Sequence, residues 1–354
     1  FIFFSALFIM GLNIREIIPR KEIELEELKG EIVCVDAFNT LYQFLSTIRQ
    51  QDGTPLMDDK KRITSHLSGL FYRNIALLSE GIKLVYVFDG IPPELKGKTQ
   101  EKRLGNKQLA KARYEEAKQK EDLESMRRYS SQLAHLNEEM IEESKELLKA
   151  MGIAVVQAPS EGESEAAYLS RKSDVYGVAS QDYDSLLFGA KRLIQNLTLA
   201  RKRKTPSGYV EIKPELIELE KVLNYLEINL DQLICLGILV GTDYNPKGIP
   251  GIGQKKALQI VKKFRQPVLI FKEIEEQTMS LSDEDRFNWK EIFELFHKPD
   301  VKNENFNFLK VDEEKIRKIL VEEHDFSEER VEKQLERLRD IREKAKQKGL
   351  DKWV

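Results

Sequence analysis

Short apolar runs alternate with longer stretches of helical character along much of the chain. The runs consist mainly of Val, Ile, Leu, Ala and aromatic residues and lie at 32–35, 84–88, 153–156, 176–179 and 238–240. Apolar runs of this length are typical of strands in a parallel sheet, because such strands are buried on both faces. The pattern therefore predicts an α/β fold with a central, mostly parallel sheet flanked by helices.

Acidic side chains follow these runs at or shortly beyond their ends. The set comprises Asp36, Asp89, Glu161, Glu163, Asp182, Asp184 and Asp243. Ligands of open α/β sheets bind beyond the carboxyl ends of the strands, so we expect these carboxylates to converge on one crevice. Two carboxylates about 4 Å apart repel by roughly 4 kcal/mol at an effective dielectric of about 20, so such a cluster requires cations. Oxygen ligands without thiols or clustered imidazoles favour Mg²⁺ or Mn²⁺.

The acids also have simpler local interpretations. Ser160 and Glu163 fit a capping box at the start of a helix. Turn or cap chemistry is equally open for Asp36, Asp182, Asp184 and Asp243. The recurrence of acids after successive apolar runs favours a shared site, because local capping does not account for it.

Composition limits the partners that the chain can attract. One third of the 354 residues are charged, yet the net charge is −3, so a nucleic acid would have to meet local basic patches. Cys34 and Cys235 lie in apolar runs, which predicts reduced core residues. The apolar segment 1–9 is too short to span a bilayer and resembles an extension before a natural start at Met10. No membrane association is expected.

A charged stretch follows Asp89. Residues 96–128 contain eleven basic and six acidic side chains, a net charge of +5, with few large apolar residues to pack on a core. A solvated helical face is one interpretation. A basic helical arch over the crevice, spanning about 95–135, is the other, and the excess of positive charge favours it.

A second basic segment lies between two apolar stretches. Residues 201–208 are flanked by 193–199 and 209–212, a pattern that predicts a β-hairpin with a basic tip. The charge at such a tip either contacts DNA or keeps an edge hairpin soluble. Both interpretations remain open at this point.

A glycine-rich turn precedes an apolar helix. Gly248, Gly251 and Gly253 are followed by Lys255 and Lys256. Glycines before a helix expose its first N–H groups, and lysines in the first turn oppose the helix dipole, so an anionic partner is indicated. The alternative is a tight turn between two helices. The spacing resembles the helix-hairpin-helix motif of DNA-binding proteins.

The carboxyl terminus carries apolar residues on a charged helix. Leu350 and Trp353 share a face of a single helical turn and would fit a groove on a partner, whereas packing on the chain's own body is the alternative. The candidate partner-binding residues are Gln347, Leu350, Trp353 and Val354.

From residue 10 to residue 354 the chain resembles the flap endonucleases of the structure-specific 5′-nuclease superfamily, particularly archaeal members. The resemblance rests on the glycine turn and on the segments Val35-Asp36-Ala37, Leu41-Tyr42-Gln43-Phe44-Leu45, Thr64-Ser65-His66-Leu67, Val85-Tyr86-Val87-Phe88-Asp89-Gly90, Ala158-Pro159-Ser160-Glu161-Gly162-Glu163, Ser180-Gln181-Asp182-Tyr183-Asp184 and Gly241-Thr242-Asp243-Tyr244.

The resemblance implies two metal sites. One divalent ion would be held by Asp36, Asp89, Glu161 and Glu163, and the second by Asp182, Asp184 and Asp243, partly through water. The implied reaction is Mg²⁺-dependent hydrolysis of a DNA phosphodiester near the base of a 5′ flap, leaving a 5′-phosphate. A 5′–3′ exonuclease activity and roles in DNA replication and repair are also implied.

The resemblance further implies the DNA contacts. Lys96 and Arg103 would act on the reacting phosphate, together with the catalytic acids Asp89 and Asp182, and Tyr42 would stack on a nucleotide. The remaining implied DNA contacts are Arg49 and Arg73 to phosphate, Thr64 to a one-nucleotide 3′ flap, and Gly251, Gly253, Lys255 and Lys256 to the duplex with a bound K⁺ ion.

The tail resembles the peptide with which such enzymes bind sliding clamps. Val354 replaces its usual second aromatic residue, which predicts weaker or more selective clamp binding. The implied division is a single nuclease domain at 10–340 and a clamp-binding tail at 341–354. Within the domain, the regions are the N-terminal region 10–113, the internal region 136–267 with the helix-hairpin-helix at 237–264, and the helical part 268–340. A monomer in a prokaryotic cytoplasm is expected.

Two other classes of function compete with this interpretation. A phosphatase of the haloacid type would need a second carboxylate two residues after Asp36, where Phe38 stands. A non-catalytic DNA scaffold bound to a clamp would explain the glycine turn and the tail but would leave the acid cluster without a use.

Overall fold

The computed structural model describes residues 12–50, 52–120, 122–172, 174–200, 202–205, 208–279, 281, 286–302 and 305–350. The apolar segment 1–9 and the tail residues Trp353 and Val354 lie outside the described residues. For Arg103, Gln347 and Leu350 the description covers the backbone alone. The expectations for these residues therefore stay predictions.

Nine strands form one large sheet and one small sheet. They are β1 Lys21–Glu22, β2 Ile32–Asp36, β3 Lys83–Phe88, β4 Ala154–Gln157, β5 Val175–Ala179, β6 Arg192–Gln195, β7 Lys202–Thr205, β8 Gly208–Glu211 and β9 Glu215–Glu218. The large sheet has the order β1-β9-β6-β5-β2-β3-β4, and β7 pairs with β8 alone. Strands β2 to β6 are parallel, while β9 and β1 run antiparallel at one edge. The predicted mostly parallel sheet is confirmed.

Helices cover both faces of the sheet. They are α1 Ala37–Thr47, α2 Ser65–Ser79, α3 Gly97–Gln119, α4 Leu123–Gln132, α5 Glu138–Ala150, α6 Gly162–Lys172, α7 Asp184–Leu187, α8 Leu219–Leu226, α9 Leu230–Val240, α10 Gln254–Phe264, α11 Pro267–Glu273, α12 Glu275–Met279, α13 Trp289–His297, α14 Glu313–Arg317 and α15 Glu328–Leu350. A π-helical turn at Lys318–Glu323 joins the last two helices in space.

The sheet separates two hydrophobic cores. Val33 and Val35 point into the core that α1, α2, α5 and α15 cover, whereas Cys34 points into the core that α6, α9 and α10 cover. Successive side chains of a strand face opposite sides, so a strand buried on both faces must be apolar throughout. Cys34 and Cys235 are buried free thiols, as predicted.

Two predicted elements differ from the structure. The apolar run 238–240 is not a strand but ends α9, because a short apolar run does not distinguish a strand from a buried helix. The segment before β2 forms β1 and a 3₁₀ turn at Leu25–Leu28. The basic run near 201–208 supplies a strand of the hairpin, β7, and does not form its tip alone.

The predicted arch and helix pair are both present. Helices α3 and α4 follow Lys96 in sequence and pack on each other. Ala110 and Ala117 of α3 are buried. Helices α9 and α10 flank the glycine turn. Within the described part of the chain no single helix is long and apolar enough to cross a bilayer; α8 and α9 qualify only together, across a bend of 82°.

Candidate active site

The first acid ends the central strand. Asp36 is the last residue of β2 and also caps α1, with its Oδ1 accepting a hydrogen bond from the Asn39 backbone N–H at 3.0 Å. Its Oδ2 faces the Ser180 hydroxyl at 3.3 Å, at the end of the neighbouring strand β5. The local cap and the shared site are therefore compatible, because the two oxygens serve different partners.

Asp89 follows β3 and packs against a glycine. The Gly162 backbone N–H donates to Asp89 Oδ1 at 2.7 Å, and a Cβ at Gly162 would lie 2.7 Å from the same oxygen. The strand end is fixed to the loop that carries Glu161, since the Gly90 N–H donates to the Ser160 carbonyl at 2.6 Å. Two acid-bearing loops are thus joined by backbone hydrogen bonds.

The two glutamates have different surroundings. Glu161 is buried, accepts a hydrogen bond from the Tyr244 hydroxyl and forms an ion pair with Lys96. Glu163 accepts from the Ser180 hydroxyl at 3.0 Å. Its carboxylate points toward the neighbouring strand end instead of back to Ser160, so the capping-box interpretation is wrong for its side chain.

The acids after β5 face the same crevice. Asp182 Oδ2 accepts a hydrogen bond from the Asn39 amide at 2.8 Å, which ties it to α1. Asp184 begins α7, is 3% exposed, and lies 3.4 Å from the Leu12 backbone N–H. Both acids therefore have a hydrogen-bond partner, and both lie toward the carboxyl end of strand β2.

A lysine lies among the acids. Lys96 Nζ is 3.4 Å from Asp243 Oδ2, pairs with Glu161, and lies 5.7 Å from the centre of the Tyr244 ring. Because Lys96 immediately precedes α3, the base of the arch is attached to the acid cluster. Asp243 follows helix α9, not a strand, yet it reaches the same place as the strand-end acids.

Electrostatic coupling shows that the acids form one cluster. Burial, then the charges of Asp89 and Asp182, raises the pKa of Asp36 to about 8. Burial, then Asp36, raises the pKa of Glu163 well above its ordinary value, and burial with Asp243 does the same for Asp184. Without added cations, burial and the neighbouring negative charges therefore favour the protonated forms of these three carboxyls.

The Lys96–Glu161 pair is also governed by burial. The pKa of Glu161 is raised because burial outweighs the opposing effect of Lys96. Burial opposes the charge of Lys96, yet Glu161 and Asp243 together raise its pKa, so the amine stays protonated. Lys96 therefore supplies one positive charge to a cluster of seven acids, which is too little to neutralise it.

The donor set fits hard divalent cations. All seven candidate ligands are carboxylates, and Mg²⁺ and Mn²⁺ prefer such oxygens. Among the described side chains, no three His, Cys, Asp or Glu residues already surround one metal position. Lys96 pairs with Glu161 and Asp243, two of the side chains that would hold such cations.

Four other predicted contacts lie on α1, on α2 and on the segment between these helices. Tyr42 is half-buried on α1, and Thr64 is 4% exposed, just before α2. Arg49 donates to the Gly53 carbonyl at 2.9 Å. Arg73 lines a cavity of about 170 Å³, where burial lowers its pKa. The Arg73 guanidinium is thus an accessible, partly desolvated cation beside a cavity, which is a position suited to an anion.

The glycine turn presents backbone and lysines to solvent. Gly251 is exposed with a φ of +77°, a conformation that favours glycine, and Gly253 precedes α10. Lys255 and Lys256 are exposed in the first turn of α10. Lys256 Nζ lies 3.5 Å from the Gly251 carbonyl, so positive charge is concentrated at this turn.

Sequence reasoning missed the polar residues that orient the acids. Asn39 bridges the strand ends by donating to Asp182 and by accepting from the Gln181 backbone N–H at 3.3 Å. Ser180 contacts both Asp36 and Glu163, and Tyr244 holds Glu161. Their positions next to predicted acids were the available indication, although Asn and Ser at strand ends are common turn residues.

Comparisons with known proteins agree with this geometry. The XPG N-terminal domain matches residues 10–110, and the XPG I-region matches residues 152–243. Flap endonuclease 1 of Pyrococcus furiosus is 55% identical over 97% of this chain and 99% of its own length. Flap endonuclease 1 of Aeropyrum pernix is 51% identical over 97% of this chain and 99% of its own.

A solved structure shows the same fold. The flap endonuclease-1 from Methanococcus jannaschii superposes with a TM-score of 0.73 at 39% identity, covering 94% of this chain and 98% of its own. The match covers nearly the whole length of both chains. With its strand-end carboxylates and its near-complete match to these relatives, the chain belongs to the archaeal flap endonucleases of the XPG superfamily.

Proposed function

We propose that this structure-specific flap endonuclease uses its acid cluster to hold two Mg²⁺ ions and hydrolyses a DNA phosphodiester near the base of a 5′ flap. The cluster comprises Asp36, Asp89, Glu161, Glu163, Asp182, Asp184 and Asp243. The supporting observation is that acids from five segments interact electrostatically near the carboxyl ends of the parallel strands, where burial and neighbouring acids raise the pKa of Asp36, Glu163 and Asp184. Nucleases of this family depend on divalent metal ions.

The chain's own residues prepare the site for phosphate. When bound, divalent ions supply the activated water and the positive charge that phosphodiester hydrolysis needs. Asn39, Ser180 and the Gly162 N–H fix three carboxylates in orientation. Lys96 brings a permanent positive charge to the arch side of the cluster, where it would stabilise the negative charge of the reacting phosphate. Arg103, on α3, is proposed to act with it.

DNA contacts are proposed around the cluster. Tyr42 would stack on the nucleotide beside the cut, and Arg49 and Arg73 would bind phosphates. Thr64 would contact a short 3′ flap. The glycine turn would bind duplex phosphate through Lys255, Lys256 and a K⁺ ion at Gly251 and Gly253; its support is the exposed turn with lysines in its first helical turn.

Other expectations extend the same proposal. They are a 5′-phosphate product, 5′–3′ exonuclease activity, Mn²⁺ as a substitute metal, a monomeric enzyme and a cytoplasmic location. The proposed division is a nuclease domain at 10–340 with a tail at 341–354 that binds a sliding clamp through Gln347, Leu350, Trp353 and Val354. Their support is the resemblance of the chain to archaeal flap endonucleases.

A substrate comparison tests the reaction. Labelled 5′-flap, nicked, gapped and single-stranded DNA are incubated with the enzyme and Mg²⁺, and a parallel series contains excess chelator. We expect efficient cutting of the flap, weaker cutting of the other substrates, and loss of activity with chelator. Equal rates on all four substrates would refute structure specificity, and cutting in chelator would refute the metal mechanism.

Substitution of single acids tests the site. Asp89→Asn and Asp182→Asn should each lower kcat by about a hundredfold or more, with flap affinity changed only a few-fold, because the lost interaction acts on the transition state. Asp174→Asn is the matched control, since Asp174 is exposed just before β5, at the end of the strand opposite to the acid cluster. Normal turnover in both site variants would contradict the assignment.

A further inference from the structure

A buried histidine outside the active site joins three distant parts of the chain. His324 is 2% exposed and follows the π-helical turn. Its Nδ1 lies 3.1 Å from Asp58 Oδ2, and its Nε2 lies 3.0 Å from Glu143 Oε1. One imidazole ring therefore connects the carboxyl-terminal helices, α5, and the connection between α1 and α2. We call residues 48–64 the α1–α2 connection.

Other charged groups surround this ring. Arg62 binds Asp58 through its backbone N–H and its Nε, both at 2.7 Å, and its guanidinium also donates to the Glu323 carbonyl. His66 Nε2, on α2, lies 3.6 Å from Glu143 Oε2. Across the same contact, the Asp59 N–H donates to Asp325 Oδ2 at 3.0 Å. Side chains of Arg62, Asp58, Glu143 and His66 thus surround the His324 ring, and hydrogen bonds to backbone groups complete its surroundings.

The protonation states of this network favour a charged His324. Burial opposes its charge, but hydrogen bonds and charges of Glu143 and Asp58 outweigh burial and raise its pKa above 6.5. Burial opposes ionisation of Glu143, yet His324 and His66 lower its pKa to about 2. Burial lowers the pKa of His66, so that ring stays neutral. Both shifts favour the ionised forms of His324 and Glu143 over their neutral forms.

The described part of the α1–α2 connection contains no helix or strand. It forms hydrogen-bonded turns and two isolated bridge pairs, Arg49–Pro55 and Met57–Ile63. The Ser65 hydroxyl donates to the Ile48 carbonyl at 2.7 Å, and Ser130 of α4 donates to the Gly53 carbonyl at 2.7 Å. Because no helix or strand spans its described residues, the connection depends in part on contacts with other elements for its position.

We infer that His324 is a positioning residue, which fixes the α1–α2 connection so that Arg49 and Thr64 are presented to DNA. The inference rests on the proposed function of those two residues. His324 is itself too buried to touch DNA, so its effect passes through Asp58 and Arg62. The consequence is that substrate affinity, more than the rate of the chemical step, depends on the charge of this ring.

The pH dependence follows from the signs of these shifts. His324 has a raised pKa, so its stabilising contribution is present below pH 6.5 and is lost as the pH rises through that raised value. Glu143 has a lowered pKa, so its contribution is present above about pH 4.5 and is lost toward pH 2. His66 has a lowered pKa and costs stability below 6.5. The contribution of the network is therefore largest near pH 6.5 and falls as the pH rises through the raised pKa of His324.

The test compares His324→Gln with His297→Gln. Glutamine removes the charge while keeping polar groups, and His297 is an exposed histidine 3.6 Å from Asp231, outside the network. For His324→Gln at pH 7 we expect amide exchange in the α1–α2 connection to accelerate about tenfold. KM for a 5′-flap substrate should rise about five- to tenfold with kcat changed less than about threefold. His297→Gln should match the wild type.

Two further measurements separate positioning from general damage. The KM difference between wild type and His324→Gln should shrink as the pH rises to 9, because the wild-type ring then loses its charge. His324→Lys, which keeps the charge, should restore part of the affinity. Glu143→Gln should repeat the effect of His324→Gln from the other side of the ring, which keeps the test valid if His324→Gln folds poorly.

Unchanged exchange in the α1–α2 connection in both His324→Gln and Glu143→Gln would overturn the inference. An equal KM increase in His297→Gln, or a KM difference that is constant with pH, would do the same. Accelerated amide exchange with an unchanged KM would show that His324 has only a structural role, and would refute its role in DNA binding. If wild-type enzyme fails to cut the flap, the proposed function fails, while the exchange experiment still decides whether His324 holds the connection.

Discussion

At the residue scale, the position of Asp89 depends on the absence of a side chain at Gly162. The Gly162 N–H donates to Asp89 Oδ1, and a Cβ would approach both this oxygen and, at 3.0 Å, the Val87 carbonyl. Contacts under 3.0 Å force something to move, and the backbone carbonyl is less free to move than the carboxylate. The acid would therefore be displaced.

We predict that Gly162→Ala lowers kcat on a flap substrate by about a hundredfold, because a misplacement of about 1 Å in a catalytic group costs that much. Gly177→Ala is the control: its Cβ would meet the Arg192 carbonyl at 2.8 Å, equally crowded but within strand β5. Steady-state kinetics and thermal unfolding separate the two. Comparable losses of kcat in both variants would show that crowding alone, and not the position of Asp89, is responsible.

The acids themselves were predictable from sequence, but their supporting residues were not. Acidic residues after apolar runs have few competing explanations once they recur, and the structure couples all seven electrostatically. The roles of Asn39, Ser180 and Tyr244 become visible only when the strand ends are adjacent. The partners of Asn39 and Tyr244 are more than eighty residues away in sequence, and Ser180 bonds Glu163 on the neighbouring helix α6. Spatial adjacency is what the sequence pattern lacks.

At the element scale, the α9–α10 pair shows where apolar pattern is ambiguous. Ile238 and Leu239 are buried and Val240 is partly buried, and a buried helix end has the same composition as a buried strand. The glycine turn was the more informative feature, because its backbone requirement is specific. Gly241 lies against the backbone of Pro246 and Gly248, and Gly248 lies against the backbone of Leu239 and Val240, which closes the turn tightly between the two helices.

We predict that Lys255→Glu combined with Lys256→Glu weakens flap binding and lowers the dependence of log Kd on log salt. Each phosphate contact that is lost reduces this slope by about 1. Turnover at saturating DNA should stay nearly normal, since α10 lies apart from the acid cluster. Lys298→Glu, at the end of α13 beside Glu294, is a single charge-reversal control on another helix. Equal slopes in the double variant and in wild type would exclude the turn from the DNA interface.

At the scale of the whole molecule, the acid cluster makes stability depend on pH and on metal. The pKa of Asp36 is about 8 in the folded protein and near 3.8 in an unfolded chain, so folding binds a proton there. The stabilising contribution is present at low pH and is lost as the pH rises between these values. Cations that replace the protons would offset this loss.

We predict that, in chelator, the unfolding temperature of wild type falls relative to Asp36→Asn as the pH rises from 5 to 8. Asparagine is also a good N-cap, so the variant keeps the start of α1. Added Mg²⁺ should raise the wild-type unfolding temperature by a few degrees, and by more at pH 8 than at pH 6. Parallel pH curves for the two proteins would show that Asp36 ionises normally.

The overall architecture was predictable because parallel strands demand continuous apolar runs, and four strands, β2 to β5, coincide with such runs. The antiparallel edge, β1 and β9, escaped prediction because two- and four-residue edge strands carry little pattern. The network around His324 escaped it as well. Its members lie up to 266 residues apart, and scattered histidines indicate no site until the chain has folded.

Lys96 belongs at once to the arch and to the acid pair Glu161 and Asp243. A cation that binds these two acids would compete with the Lys96 amine for the same oxygens. By thermodynamic reciprocity, a movement of the first turn of α3 that withdraws Lys96 would strengthen cation binding, and cation binding would weaken the attachment of that turn. Ion binding at the acid cluster and movement of the base of the arch would therefore be coupled.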